Sequence, residues 1–259
     1  WIGTEDGGLN RFNLKTKDFS FFAPSAGFTN IHGLCLVDDK LWVGTFSKGL
    51  KVIDTRSGVV LKTYQKNDSP RSLIDNSIFA ICKTATGDIY LGTMFGLVRY
   101  NKQSDDFDRI PELNGKFIYD IKEDSAGNIW LATYANGVYC YNVNDRKWKN
   151  YVHDDKDNTS LPYNKVSSVF EDSHRQIWLT TQGGGFCIFH PESETFTSYN
   201  STNGLPSDVV YQIVEDKEGQ LWLTTNNGLV CFQPNTEAMK VYTTATVSYT
   251  HLRAHETGA

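Results

Sequence analysis

The chain has 259 residues, of which 13% are aromatic and 21 are glycine, and it carries a formal charge of −5. That charge argues against a nucleic-acid binder, which needs a concentrated basic face. No segment approaches 18 consecutive apolar residues, so no membrane-spanning helix is predicted, and the length suffices for one all-β domain with a sizeable core.

The chain opens on Trp1-Ile2-Gly3-Thr4, and this signal returns five times. The copies are Leu41-Trp42-Val43-Gly44-Thr45, Ile89-Tyr90-Leu91-Gly92-Thr93, Ile129-Trp130-Leu131-Ala132-Thr133, Ile177-Trp178-Leu179-Thr180-Thr181 and Leu221-Trp222-Leu223-Thr224-Thr225. The aromatics Trp1, Trp42, Tyr90, Trp130, Trp178 and Trp222 recur every 40–48 residues, a period that means repeated supersecondary units. In the copy from 164 to 199, Lys165–Phe170, Gln176–Thr181, Gly185–Phe189 and Thr195–Tyr199 read as four short strands joined by turns. Four antiparallel strands per repeat make one propeller blade. One blade cannot bury both faces alone, so the repeated aromatic is expected as filler between stacked neighbours.

In chain order, residues 1–22 supply three strands of a blade. Further blades are expected at about 30–64, 76–110, 116–151, 164–199 and 208–243, giving one β-propeller region over 1–245 and about six blades, a fragment of a larger propeller array. The first hairpins carry Gly87, Gly127 and Gly219 at one register, where a tight turn needs positive φ; Arg175 breaks that pattern. The polar connections Gln65–Asp75 and His153–Tyr163 read as exposed loops. The acidic run from His153 lacks the glycine and distal glutamate of a calcium loop. Residues 246–259 depart from the repeat, resemble translated sequencing-adapter read-through, and are read as a non-native tail; the rival is a closing strand over 247–252.

The repeat resembles the two-component regulator propeller family. The resemblance rests on Glu123-Asp124-Ser125-Ala126-Gly127-Asn128-Ile129-Trp130, on Gly3-Thr4-Glu5-Asp6-Gly7-Gly8-Leu9 and on the closing Phe196-Thr197-Ser198-Tyr199, and it covers about residues 1–243. It implies the periplasmic sensor region of a bacterial hybrid two-component histidine kinase, often one that detects oligosaccharides. It also implies a kinase module downstream in the parent chain, an inner-membrane anchor outside this sequence, and signalling as a homodimer.

Cys35, Cys82, Cys140, Cys187 and Cys231 contain no metal-type spacing and are read as small buried hydrophobes. The Glu-Asp pairs at 123–124, 171–172 and 215–216 recur at one register, so they serve the blade rather than a catalytic site. Asn30, Asn76, Asn164 and Asp208 also recur and are expected to bond local backbone. No catalytic motif, cofactor signature or metal set is present in the sequence, so neither an enzyme nor a cofactor is expected.

Residues that do not repeat are the better site candidates. The turns between second and third strands share a face with the blade-to-blade connections. The predicted ligand rim there is Phe46, Phe95, Tyr134, Asn136, Tyr163, Gln182, Asn226 and His32, with Arg71, Lys116, Phe117 and Lys165 in the connections. Rings beside amides suit an oligosaccharide or similar polar ligand, because sugar C–H faces stack on rings and hydroxyls pair with amides. Two alternatives stand beside this sensor reading. One is a propeller lyase of the streptogramin-inactivating kind, which would need His32 with an acid partner. The other is a protein-interaction propeller with a flat apolar rim.

Overall fold

The computed structural model describes residues 1–22 and 30–243. The chain is all-β, a β-propeller built of antiparallel blades, with one three-stranded and five four-stranded sheets among the described residues. The first sheet holds β1 (Ile2–Gly3), β2 (Leu9–Phe12) and β3 (Phe19–Phe22). The second holds β4 (Ile31–Val37), β5 (Lys40–Thr45), β6 (Leu50–Asp54) and β7 (Val60–Tyr64). The third holds β8 (Ile78–Lys83), β9 (Ile89–Thr93), β10 (Gly96–Asn101) and β11 (Asp106–Arg109). The fourth holds β12 (Ile118–Glu123), β13 (Ile129–Thr133), β14 (Val138–Asn142) and β15 (Lys147–Tyr151). The fifth holds β16 (Val166–Glu171), β17 (Ile177–Thr181), β18 (Phe186–His190) and β19 (Thr195–Tyr199). The sixth holds β20 (Val210–Glu215), β21 (Leu221–Thr225), β22 (Gly228–Gln233) and β23 (Ala238–Tyr242). Strands follow one another in sequence order in every sheet. The tail at 246–259 lies outside the described residues.

Two compact units divide the chain, Trp1–Tyr134 with Tyr139–Lys149, and Ala135–Val138 with the residues from 150 onward. In the first, β4 packs on β8 and β8 on β12; in the second, β16 packs on β20. Stacking needs close approach, and a small residue supplies it. A Cβ on Gly44 would sit 2.7 Å from the Ile78 side chain, and one on Gly92 would sit 2.7 Å from Ile118. Glycine in the repeat therefore seats the first apolar residue of the next sheet. The following threonine is buried, so its hydroxyl must bond. Thr45 Oγ1 donates to the Gly49 carbonyl at 2.7 Å, and Thr181 to that of Gly185 at 2.8 Å, closing the turn between second and third strands.

The repeating aromatics fill the layers as expected in three sheets: Trp42, Trp130 and Trp178 are buried, while Trp1, Tyr90 and Trp222 are half-buried. Burying an indole leaves its N–H to be satisfied. Asp124, Asp172 and Asp216 do so, accepting from Trp130, Trp178 and Trp222 at 2.9, 2.9 and 2.7 Å. The same carboxylates accept backbone N–H groups of their hairpin, as Asp172 does from His174 (2.9 Å) and Gln176 (2.8 Å). The Asp216 carboxyl is held below the ordinary carboxylate range, chiefly by the Trp222 indole. Of the neighbouring glutamates, Glu123 accepts the Ala85 N–H at 2.7 Å, and Glu215 accepts that of Ser173 at 2.8 Å, each tying its sheet to the hairpin of the preceding one. The repeated Glu-Asp pairs are thus structural, as read from their recurrence. Asn76, Asn164 and Asp208 bond local backbone, accepting from Lys66, His153 and Ser201 at 2.7, 2.8 and 2.6 Å. The expectation fails at Asn30, whose side-chain oxygen is buried without a hydrogen-bond partner among the described residues.

All five cysteines are free thiols; Cys140, Cys187 and Cys231 are buried, while Cys35 and Cys82 are half-buried. Burial pushes the Cys82 thiol up to about 11 and that of Cys140 up to about 12, as suits packing rather than reactivity.

The hairpin register explains Arg175. Gly87, Gly127 and Gly219 have φ of 91°, 86° and 76°, and Arg175 is forced to 64° in the same turn position. Arg175→Gly is expected to raise stability by about 1 kcal/mol by removing that strain. Asp172→Ala is expected to lower it by roughly 3 kcal/mol, because the buried Trp178 N–H and two turn amides lose a charged acceptor. Urea unfolding midpoints at unchanged slope would check both.

Candidate functional site: an aromatic platform at bulged strand starts

Every first strand of the four-stranded sheets begins with the same irregularity. In the first unit, the ladder passes from Ile31↔Thr45 to Gly33↔Gly44, from Ile78↔Thr93 to Ala80↔Gly92, and from Ile118↔Thr133 to Asp120↔Ala132. His32, Phe79 and Tyr119 are therefore bulged residues, extruded from the pairing and free to be re-aimed. Opposite each bulge, the residue after the buried threonine donates its N–H to the carbonyl two positions before the bulge. Phe46 donates to Asn30 (2.8 Å), Met94 to Ser77 (3.1 Å) and Tyr134 to Phe117 (3.0 Å). Each sheet so presents two non-repeating side chains around one backbone bond.

In the first unit these positions are mostly aromatic, and their rings touch. His32 stacks on Phe79 at 4.6 Å between centroids and meets Phe46 edge-on at 6.3 Å. Phe79 lies 4.5 Å from Phe117 and 5.8 Å from Tyr119. Phe117 stacks on Tyr134 at 5.2 Å with only 13° between planes. The six rings form one connected platform over three sheets. Phe46 and Tyr134 remain 39% and 43% exposed, so the platform offers ring surface to solvent. Burial against the neighbouring rings lowers the His32 pKa, and Glu5 only partly opposes this, so the imidazole is neutral at pH 7. Such a surface offers flat apolar faces with hydroxyl and imidazole groups at their edges, which suits stacking with hydrogen bonding.

The second unit repeats the scaffold with different residues. Ser167 and Tyr211 are the bulged positions, and Gln182 and Asn226 donate to the carbonyls of Lys165 (2.9 Å) and Val209 (3.2 Å). The Tyr211 hydroxyl donates to the Asn226 side-chain carbonyl. The Tyr163 ring lies over Gly183, where a Cβ would be 2.8 Å from it. This end is polar where the other is aromatic.

Of the rim residues predicted from sequence, the first unit brings together His32, Phe46 and Tyr134, with Phe117 from the connections. Phe95 makes no ring contact among the described residues; its backbone carbonyl instead accepts the Gly115 N–H at 2.8 Å. Asn136, Tyr163, Gln182 and Asn226 belong to the second unit. Arg71 faces carboxylates instead, with Asp106 at 2.5 Å and Asp108 at 3.0 Å. Phe79, Tyr119 and Tyr211 were missed. Their signal is in the sequence: apolar residues stand three apart at 31 and 34, 78 and 81, 118 and 121, and 210 and 213, where a regular strand spaces them by two. No group of three or more potential metal ligands occurs among the described residues.

Stacked antiparallel blades with a non-repeating set of side chains at one strand end define a propeller whose repeat is constant in its packing and variable at that end. The family model described as two component regulator propeller matches residues 112–135 and 204–227, the stretches that carry the bulges of the fourth and sixth sheets and the aromatics Trp130 and Trp222. Those two stretches are similar to two-component regulator propeller repeats, and the same aromatic-centred signal recurs in the other sheets. It is 31% identical over 270 residues to histidine kinase P4 of Formosa agariphila, an alignment covering 79% of this chain and 19% of the kinase. The extracellular domain of BT3049 from B. thetaiotaomicron, assigned to the hybrid two-component systems, superposes with a TM-score of 0.75 at 22% identity, covering 94% of this chain and 33% of that one. Virginiamycin B lyase from Staphylococcus aureus superposes with a TM-score of 0.63 at 16% identity, covering 83% of this chain and 70% of the lyase. The chain thus spans about a fifth of the kinase and a third of the extracellular domain.

The His32 environment sets a pH dependence. A folded-state pKa below the ordinary value of about 6.5 favours the neutral ring, so stability is full above that value and falls as acid protonates the unfolded chain first. An NMR titration is expected to place His32 below about 6.5, and His32→Gln to reduce the loss of stability in that window.

Proposed function

We propose that this chain is the ligand-sensing propeller of a two-component sensor kinase, binding an oligosaccharide or similar polar ligand on the His32–Tyr134 platform. The carrying observation is the connected set of six rings, built at positions that vary from sheet to sheet on a scaffold that otherwise repeats. The similarity to a histidine kinase and to an extracellular domain of a hybrid two-component system supports a sensor outside the cytoplasm, periplasmic in a membrane-anchored parent. Binding would act by shifting the population between two arrangements of the sensor, read by a kinase module elsewhere in the parent chain, with a homodimer as the signalling form. Catalysis is not part of this reading. The repeated carboxylates are engaged by indoles and turn amides, and among the described residues no carboxylate is hydrogen-bonded to His32, the imidazole of the platform.

A thermal melt of the chain against a panel of plant and host oligosaccharides tests this. One glycan at a hundred times its dissociation constant is expected to add about 2.7 kcal/mol, or roughly 5–10 °C in Tm. Phe79→Ala and Tyr134→Ala should abolish that shift. A panel without any shift, or a shift that both variants retain, would remove the platform as a sugar site. Consumption of the ligand that His32→Gln stops would favour the lyase alternative.

A further inference from the structure

A second site lies at the opposite, hairpin end of the second and third sheets, in the first unit. It follows from comparing one repeat with another. Trp130, Trp178 and Trp222 pair across the ladder with Lys122, Phe170 and Val214, and two residues further on stand the carboxylates Asp124, Asp172 and Asp216 that accept their indole N–H groups. Trp42 pairs with Cys35, and two residues further on stands Val37, which has no acceptor to offer. The reason is a shorter hairpin. Val37 pairs directly with Lys40, so the second sheet closes on Asp38 and Asp39 alone, where the fourth, fifth and sixth sheets have five residues between closing partners.

Two consequences appear together. Trp42 is only 5% exposed and its N–H makes no hydrogen bond among the described residues, yet that N–H is not among their buried unpaired polar atoms, so it is open to an acceptor from solvent. The missing hairpin residues also leave a cavity of about 570 Å³, lined by Trp42 and Tyr100 and within the size range of small-ligand sites. Its walls are cationic. Lys40, Lys83, Arg99 and Lys102 face Asp38, Asp88 and Asp108. Lys83 bonds Asp38 at 3.0 Å, and Arg99 lies 4.0 and 3.5 Å from Asp88 and Asp108. Lys40 and Lys102 form no ion pair among the described residues, and both act electrostatically on Asp38, which places them at the same mouth. Asn101 and Gln103 add amides suited to hydroxyl groups.

We propose that this cavity binds a small carboxylate-bearing sugar, a hexuronic acid or short uronate oligosaccharide, whose carboxylate takes the place at Trp42 that Asp124, Asp172 and Asp216 hold at the other indoles. The ligand's charge is met by Lys40 and Lys102, and its hydroxyls by the amides. This site is separate from the aromatic platform, and it stands or falls independently of the ligand bound there.

The test is an NMR titration of the ¹⁵N-labelled chain with digalacturonate, using galactobiose as the neutral control. Trp42→Phe assigns the Trp42 indole resonance. The expected result is a saturable shift of that resonance with digalacturonate alone, while the resonances of Trp130, Trp178 and Trp222 hold. Lys40→Gln and Lys102→Gln, both at exposed positions, should each weaken binding by about tenfold, the loss expected for one charge-assisted hydrogen bond. Tyr134→Ala should leave it unchanged. A Trp42 resonance that stays still at millimolar digalacturonate, or that moves equally with galactobiose, overturns the proposal. So does binding that neither lysine variant weakens.

Discussion

A four-stranded sheet has two apolar faces, and among the described residues no helix covers either, so each sheet must be covered by its neighbours. The demands on the repeat follow from this. Close stacking requires a residue without bulk where the next sheet's first apolar side chain seats, which Gly44 and Gly92 provide for Ile78 and Ile118. Ala132 stands at the same register in the fourth sheet, and Thr180 and Thr224 in the last two. The Thr180 hydroxyl shares a 2.7 Å hydrogen bond with Ser168, so its bulk brings a buried polar pair with it. Filling the layer with an indole buries an N–H, and the hairpin carboxylate answers that need in three sheets.

Repetition therefore sorts the ionisable groups. Carboxylates that recur are engaged by backbone and indole donors, and their charge is used locally to fix turns. What remains variable is the set of positions that stacking does not constrain. The bulge places them: by inserting one residue at the start of each first strand, it lifts a side chain out of the packed face without disturbing the apolar residues on either side. His32, Phe79 and Tyr119 occupy one structural position with three chemistries, and Ser167 and Tyr211 extend the series.

The period of the aromatic made the fold legible in the sequence, and the strand limits followed because turn glycines and the buried threonine mark both ends of each second strand. The site was half legible. Phe46 and Tyr134 were visible because they follow the repeated threonine, but Phe95, one residue further along, is carried away from the rings by the turn that Thr93 fixes, its oxygen accepting the Phe95 N–H at 3.1 Å. Phe79, Tyr119 and Tyr211 lie within first strands, outside the turns and connections to which the rim was confined. A bulge changes apolar spacing from two to three, and that change is readable once it is looked for. Arg175 shows the converse, a local inconsistency in the sequence that the structure retains as strain at φ 64° instead of relieving it.

The same comparison separates two kinds of departure from the repeat. At the bulges, variation changes the side chain and leaves the backbone bond between neighbouring segments intact, so chemistry can differ from sheet to sheet at little cost to packing. At the second sheet's hairpin, the backbone itself is shortened, and the indole there has no aspartate acceptor. A protein under selection for stability alone has a ready remedy, since three other sheets of this chain keep the longer hairpin with its aspartate. An indole without its aspartate, lining a cavity with lysines at its mouth, fits the general pattern in which local rules are broken at sites that bind. A platform whose rings belong to three sheets has a further property. A ligand lying across them contacts side chains whose spacing depends on how those sheets stack, so its affinity differs between stacking arrangements. That differential affinity is what a population shift requires.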